Sequence, residues 1–204
     1  MTGLAGSIRV EQIEGSVSMK RKGLTKDALA NYLVEAFFEL LDERPFSQIA
    51  VVDIVSRAGV SRSTYYRRFS TREEVAKRFV TDLLDECFAE FERATRTNEG
   101  ALQKLWLQVL FTTMERSLDK IRLLVRNGLS GLFLEVMNER FAVDGEAGRD
   151  IYKLRYHLGG LYNCFIQWAS DEARMPPSDM ADLVIASLPK NYVPILPMIE
   201  NASG

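Results

Sequence analysis

Apolar residues recur every three or four positions along most of the chain, and no convincing run alternates with the period of two that marks a strand. The clearest stripe follows Thr25: Leu29, Leu33, Ala36, Phe37, Leu40 and Leu41 share one helical face. Thr25 suits an N-cap, and Asp27 lies in the electropositive first turn. Pro45 ends this helix, because the residue before a proline resists the α conformation. The next apolar positions predict a short helix over Val51–Ala58, with Ile54, Val55 and Ala58 facing inward. Gly59 stops it, since glycine tolerates the left-handed conformation just past a helix end. Ser61 is placed to cap a further helix over residues 62–69. Thr71, with Glu74 three positions on, forms a capping box for a long helix running to about Ala94.

The remaining segments also read as helices. Residues 101–117 carry Leu102, Leu105, Trp106, Val109, Leu110 and Met114 on one stripe. Further helices are expected over 119–126, 127–141 and 150–173, with a turn-like break at 144–148. Pro176 and Pro177 interrupt the pattern, and Ser178 is expected to cap a helix reaching residue 188. Pro189, Pro194 and Pro197 make the tail irregular. The fold class is therefore all-α: an N-terminal three-helix helix-turn-helix domain plus a C-terminal domain of about six helices. Residues 1–22 read as a flexible arm ending in Lys20, Arg21 and Lys22. Residues 23–79 form the first domain, and residues 80–204 the second.

Charge changes this picture more than bulk composition does. The chain has 204 residues, 47% hydrophobic and 26% charged, with a net charge of −2. Yet residues 20–78 hold 12 Lys/Arg against 8 Asp/Glu, while residues 79–204 hold 13 against 18. A basic first third and an acidic remainder suit a protein that needs a positive field on one face. No apolar run approaches the ~18 residues a membrane span requires. The start of the chain lacks the apolar core of a secretory signal, so the cytoplasm is the expected location. Cys87 and Cys164 are far apart and in no metal-ligand spacing, and are expected to be buried, reduced thiols.

The informative stretch runs from Val51 to Phe69. Two short helices joined at a glycine can cross at a wide angle, so that the second enters a major groove. Ala58, Gly59 and Val60 make the turn tight and give it an apolar plug. The second helix, over residues 62–68, holds three arginines, two hydroxyls and two tyrosines, with no acid. Arginine reaches guanine edges or clamps phosphates, and Ser, Thr and Tyr hydroxyls reach phosphate oxygens.

These residues resemble the DNA-binding domain of the TetR family of bacterial regulators. The resemblance covers residues 25–79 and rests on Ala58-Gly59-Val60-Ser61, Ser63-Thr64-Tyr65-Tyr66, Phe69, and Arg72-Glu73-Glu74-Val75. It implies that Arg62 and Ser63 read base edges. Thr64 and Tyr66 would touch phosphate or base methyls, Arg67, Arg68 and Arg72 would contact phosphates, and Thr25 would add a phosphate contact. Tyr65 stands where the family has a core Phe or Leu and is expected to be structural. Arg68 replaces the family's usual His, and Arg72 its usual Lys; both keep a donor. Val51 stands where a Thr or Ser often bonds phosphate, so that contact is not carried over.

The resemblance also implies a homodimer, in which the last two helices pair with those of a twin. Mid-helix glycines cost about 1 kcal/mol each against alanine. Gly159 and Gly160 together therefore suggest close approach of another backbone, and Leu158, Gly159, Gly160, Leu161, Trp168 and Leu183 are the candidate interface. The stretch ending at Trp168, with the Pro-x-Ser that follows, resembles the dihydroxyacetone kinase regulator-like subtype of the family. The candidate effector pocket comprises Trp106, Phe111, Met114, Phe133, Met137, Tyr162, Asn163 and Phe165, with His157 a further polar group. Aromatics and Met at helical spacing are also what an ordinary core contains.

Catalysis has no foothold in the chain. There is one His, no Gly-rich phosphate loop, no Cys/His metal cluster and no Ser-centred nucleophile motif. Glu135 and Glu139 lie four apart, a spacing common on solvated faces. No cofactor and no metal site are expected. The expected partners are double-stranded operator DNA, a second copy of the chain and an unidentified small-molecule effector, without a membrane. The favoured reading is a repressor released by that effector. The alternative is a regulator or activator controlled by a protein partner.

Overall fold

The computed structural model describes residues 26–96, 102–141 and 149–188. The expected arm, Thr25 and the proline-rich tail lie outside the described residues. Within them the secondary structure is helical, without strands. The helices are α1 (Lys26–Glu43), α2 (Val51–Ala58), α3 (Arg62–Tyr66), α4 (Arg72–Thr95), α5 (Leu102–Arg116), α6 (Leu118–Arg126), α7 (Gly131–Arg140), α8 (Arg149–Ser170) and α9 (Pro177–Ala186). A 3-10 turn, Phe46–Gln48, joins α1 to α2. Internal contacts divide the chain into two units, Met1–Val75 and Ala76–Gly204, and the boundary falls inside α4.

The first unit closes around the predicted stripe of α1: Leu33, Ala36, Phe37, Leu40 and Leu41 are all buried. Ile54, Val55 and Ala58 of α2 meet that stripe, and two ionic clasps lock the pair. Arg57 reaches Glu39 at 3.3 Å and Glu43 at 2.8 Å. Arg44 pairs with Asp53 at 3.0 Å, while Asp53 also accepts the Ala50 amide at 2.8 Å and so caps α2.

In the second unit, α9 packs on α5, and α8 packs on both α6 and α7. Phe88 stacks on Trp106, and Phe91 and Phe141 meet the same indole edge-on. Phe111 packs on Trp168, and Phe133 on Phe165. Ion pairs tie α4 to its neighbours: Lys77 bridges Glu135 and Glu139 of α7 at 2.8 and 2.7 Å, and Arg116 of α5 forks onto Glu90 at 2.6 and 2.8 Å.

Several expected boundaries move. Gly128 adopts φ 74°, so the helix expected over 127–141 begins only at Gly131. Ser178 does not cap α9; Pro177 occupies the first helical position, where its missing N–H costs nothing, and Pro176 is the cap. Cys87 is buried, and burial pushes its thiol up to about 12. Cys164 is exposed, which corrects the expectation of two buried thiols.

Candidate functional site

The segment from Gly59 to Arg72 is built almost wholly from local hydrogen bonds. Gly59 sits at φ 63°, ψ 39°, the left-handed geometry a chiral residue resists, and the Val60 amide returns to the Val55 carbonyl at 3.0 Å. Ser61 Oγ accepts the Thr64 amide at 3.2 Å, and the hydroxyls of Ser63 and Thr64 each lie 2.9 Å from it. This short ladder of hydroxyls fixes the start of α3.

The helix is shorter than expected, ending at Tyr66. The Arg68 amide turns back to the Tyr65 carbonyl at 2.8 Å, a three-residue bond that tightens the last turn. Phe69 is buried beyond it. Tyr65 is fully buried, and its hydroxyl donates to the Thr71 carbonyl at 2.7 Å. Burial raises that phenol to about 12, so it stays a donor at every physiological pH. One side chain thus nails the recognition segment to the start of α4. There, Thr71 Oγ1 accepts the Glu74 amide at 3.2 Å, while Glu74 accepts the Ser70 amide at 2.6 Å. The capping box forms with its return bond one residue earlier than expected.

What faces solvent is cationic. Arg62, Ser63 and Arg67 are exposed, Thr64 and Arg68 half-exposed, and Tyr66 retains 58% of its surface. Among the described residues no carboxylate pairs with Arg62, Arg67 or Arg68. The other described arginines of this unit are occupied: Arg44 and Arg57 by acids, and Arg72 by carbonyls. Arg72 donates to the Phe46 carbonyl at 3.1 Å and to that of Ile49, with its guanidinium over the Phe46 ring. Among the described arginines of the unit, those without a carboxylate or carbonyl partner are therefore gathered on α3 and the turn after it.

Residues 33–79 match the family model described as bacterial regulatory proteins, tetR family. Over these residues the chain is similar to the helix-turn-helix segment of that family. A TetR transcriptional regulator from Streptococcus agalactiae has the same all-helical fold, with TM-score 0.53 and 18% identity over 87% of this chain and 98% of that one. The TetR family repressor AlkX from Dietzia sp., described as implicated in biodegradation of n-alkanes, gives 0.44 and 21% over 76% and 93%. No curated protein matches the chain.

The expected DNA-contacting residues Arg62, Ser63, Thr64, Tyr66, Arg67 and Arg68 fall together on one short segment. Arg72 stands apart, turned onto carbonyls of its own unit. Thr25 lies outside the described residues. The motif signalled charge and turn; it could not signal that Arg72 is held by the 46–49 turn, a partner more than twenty residues away in sequence.

The second unit contains a cavity of about 600 Å³ walled by α5, α8 and α9. Of the residues expected to line a pocket, Trp106 and Asn163 reach it. Phe111, Met114, Phe133, Met137 and Phe165 are buried in the helical core elsewhere. Tyr162 is bonded to Ser130 at 3.2 Å and does not line it. Leu158, Gly159, Gly160 and Leu161, expected at a dimer face, do line it. Trp168 is buried within its own chain, donating from the indole nitrogen to the Met175 carbonyl at 2.8 Å, which leaves it little surface to offer a twin. Leu183 is 46% exposed. His157, the further polar group expected there, also borders the cavity, as do Gln103 and Arg155, which the helical period could not single out because they are polar. No helix among the described residues is long and apolar enough to cross a membrane, and no cluster there could hold a metal ion.

Proposed function

We propose that the chain acts as a homodimer on a palindromic double-stranded operator, as a repressor that a small molecule releases. The observation that carries this reading is the concentration of acid-free arginines on α3 and the turn after it, backed by the buried Tyr65 anchor. Arg62 and Ser63 read base edges from the start of α3, and Thr64, Tyr66, Arg67 and Arg68 grip the backbone. Arg72 acts differently: it holds the 46–49 turn in place and leaves phosphate to its neighbours.

One such helix spans only a few base pairs, so specificity calls for two. Tyr152, Tyr156 and Leu183 leave apolar surface open on α8 and α9, which suits pairing through the last two helices. The cavity supports control by a small molecule over control by a protein partner. The resemblance to the dihydroxyacetone kinase regulator-like subtype rests on the stretch ending at Trp168 and the Pro-x-Ser that follows, and implies no particular ligand.

The test is selection of bound sequences from random duplexes, with sedimentation of the free protein. A two-fold symmetric motif with half-sites about one helical turn apart, or slightly more, is expected from a dimer. A single asymmetric motif bound by a monomer would overturn the reading.

A further inference from the structure

The cavity in the second unit is chemically one-sided. At about 600 Å³ it has the volume of a small-molecule site. Trp106 gives it an aromatic wall, stiffened by Phe88 at 5.4 Å in a stacked arrangement. No Asp or Glu is among the described residues that line it, whereas Arg155 does, held at one guanidinium nitrogen by the Asn138 carbonyl at 2.9 Å.

Gln103 adds a more pointed signal. Its Oε1 is buried and has no hydrogen-bond partner among the described residues. A buried acceptor without a donor is costly, and such groups are rare unless something satisfies them. The glycine pair points the same way. A Cβ added at Gly159 or Gly160 would meet nothing within 4 Å. Packing inside the chain therefore does not require these glycines, and they leave the wall open where they border the cavity.

We propose that this cavity binds a small aromatic anion that also carries an N–H or O–H donor. Its ring lies against the Trp106 wall, its anionic group meets Arg155, and its donor satisfies Gln103 Oε1. The assignment rests on the reading of the second unit as a small-molecule sensor and names the ligand class that sensor takes.

Anilinonaphthalene sulfonate is a suitable probe, because it combines a ring system, an N–H and an anion. Phenylnaphthylamine is the same probe without the charge. Both are titrated into the full chain by fluorescence. The sulfonate is expected to bind more tightly, and Arg155→Gln to weaken it about tenfold, the scale of one charge-assisted contact, while leaving the uncharged dye unchanged. Gln103→Leu should weaken both dyes, and Gln103→Glu, with the same shape and an adverse charge, should weaken the sulfonate most. Thermal melting of each variant confirms that it is folded.

Failure to bind either dye, or binding indifferent to Arg155 and Gln103, would overturn the proposal. So would dye affinity that falls as the protein dimerises, because a twin would then fill the space. The sensor reading is judged separately, by operator affinity with and without dye. A dye that binds as described but leaves operator affinity unchanged supports the cavity and sinks the sensor. A dye that loosens the operator without involving Arg155 or Gln103 does the reverse.

Discussion

The two units solve opposite problems. The first uses its charges to isolate charge. Among the described residues, Arg44 and Arg57 are paired with acids and Arg72 is held by carbonyls, leaving Arg62, Arg67 and Arg68 on α3 and the turn after it without such partners. The second spends its charges in holding helices together, as Lys77 does between α4 and α7 and Arg116 between α5 and α4. Its described residues leave apolar surface exposed and wall a cavity. The lesson is that net charge says little about function here. What matters is which charges the fold leaves without a partner.

The largest expected effect concerns Tyr65. Tyr65→Ala removes a fully buried ring and the bond to Thr71, and should destabilise the first unit by about 3–5 kcal/mol. Tyr65→Phe keeps the ring and should cost about 1 kcal/mol. Thermal melting would show both; equal losses would mean that the ring contributes nothing beyond the hydroxyl.

Comparison of Arg68 with Arg72 sharpens the contrast between free and occupied cations. Arg68→Ala should weaken binding to all duplexes and lower the salt slope by about one. Arg72→Ala should lower the stability of the first unit, by about 1.5–3 kcal/mol for its hydrogen bonds, with little change in salt slope. A slope that fell equally in both variants would return Arg72 to a phosphate role.

The smallest effect is acid sensitivity. The hydrogen bond from Arg57 holds Glu43 below the ordinary carboxylate range, and the Ala50 amide, aided by Arg44, does the same for Asp53. A carboxyl lowered by folding contributes stability above its unfolded value, about 4, and loses it as pH falls through the folded one. Urea midpoints should therefore decline between pH 5 and 3 (about one unit either side of that value), and Glu43→Gln with Asp53→Asn should flatten the decline. An unchanged slope would show that these ion pairs are not formed in solution.

The first unit was largely legible in the sequence because its determinants are short-range. Gly59, Ser61 and Thr71 each act within three or four residues, and such devices are written where they work. The end of α3 was not legible: the tightening at Arg68 follows from how Tyr65 is tethered. In the second unit the helices could be read from their period, but the pocket could not. Phe111, Phe133 and Phe165 satisfy the same periodic signal whether they line a cavity or fill a core. Gln103 and Arg155 reach the cavity from positions that look like ordinary solvated surface. Only packing distinguishes them.

The open space beside Gly159 and Gly160 has an evolutionary corollary. Alanine would fit either position without displacing an atom of the described residues and would favour the helix. Folding alone thus gives mutation no reason to spare these two glycines. If a ligand in the cavity is what needs them, a lineage that lost that ligand should drift to alanine there first.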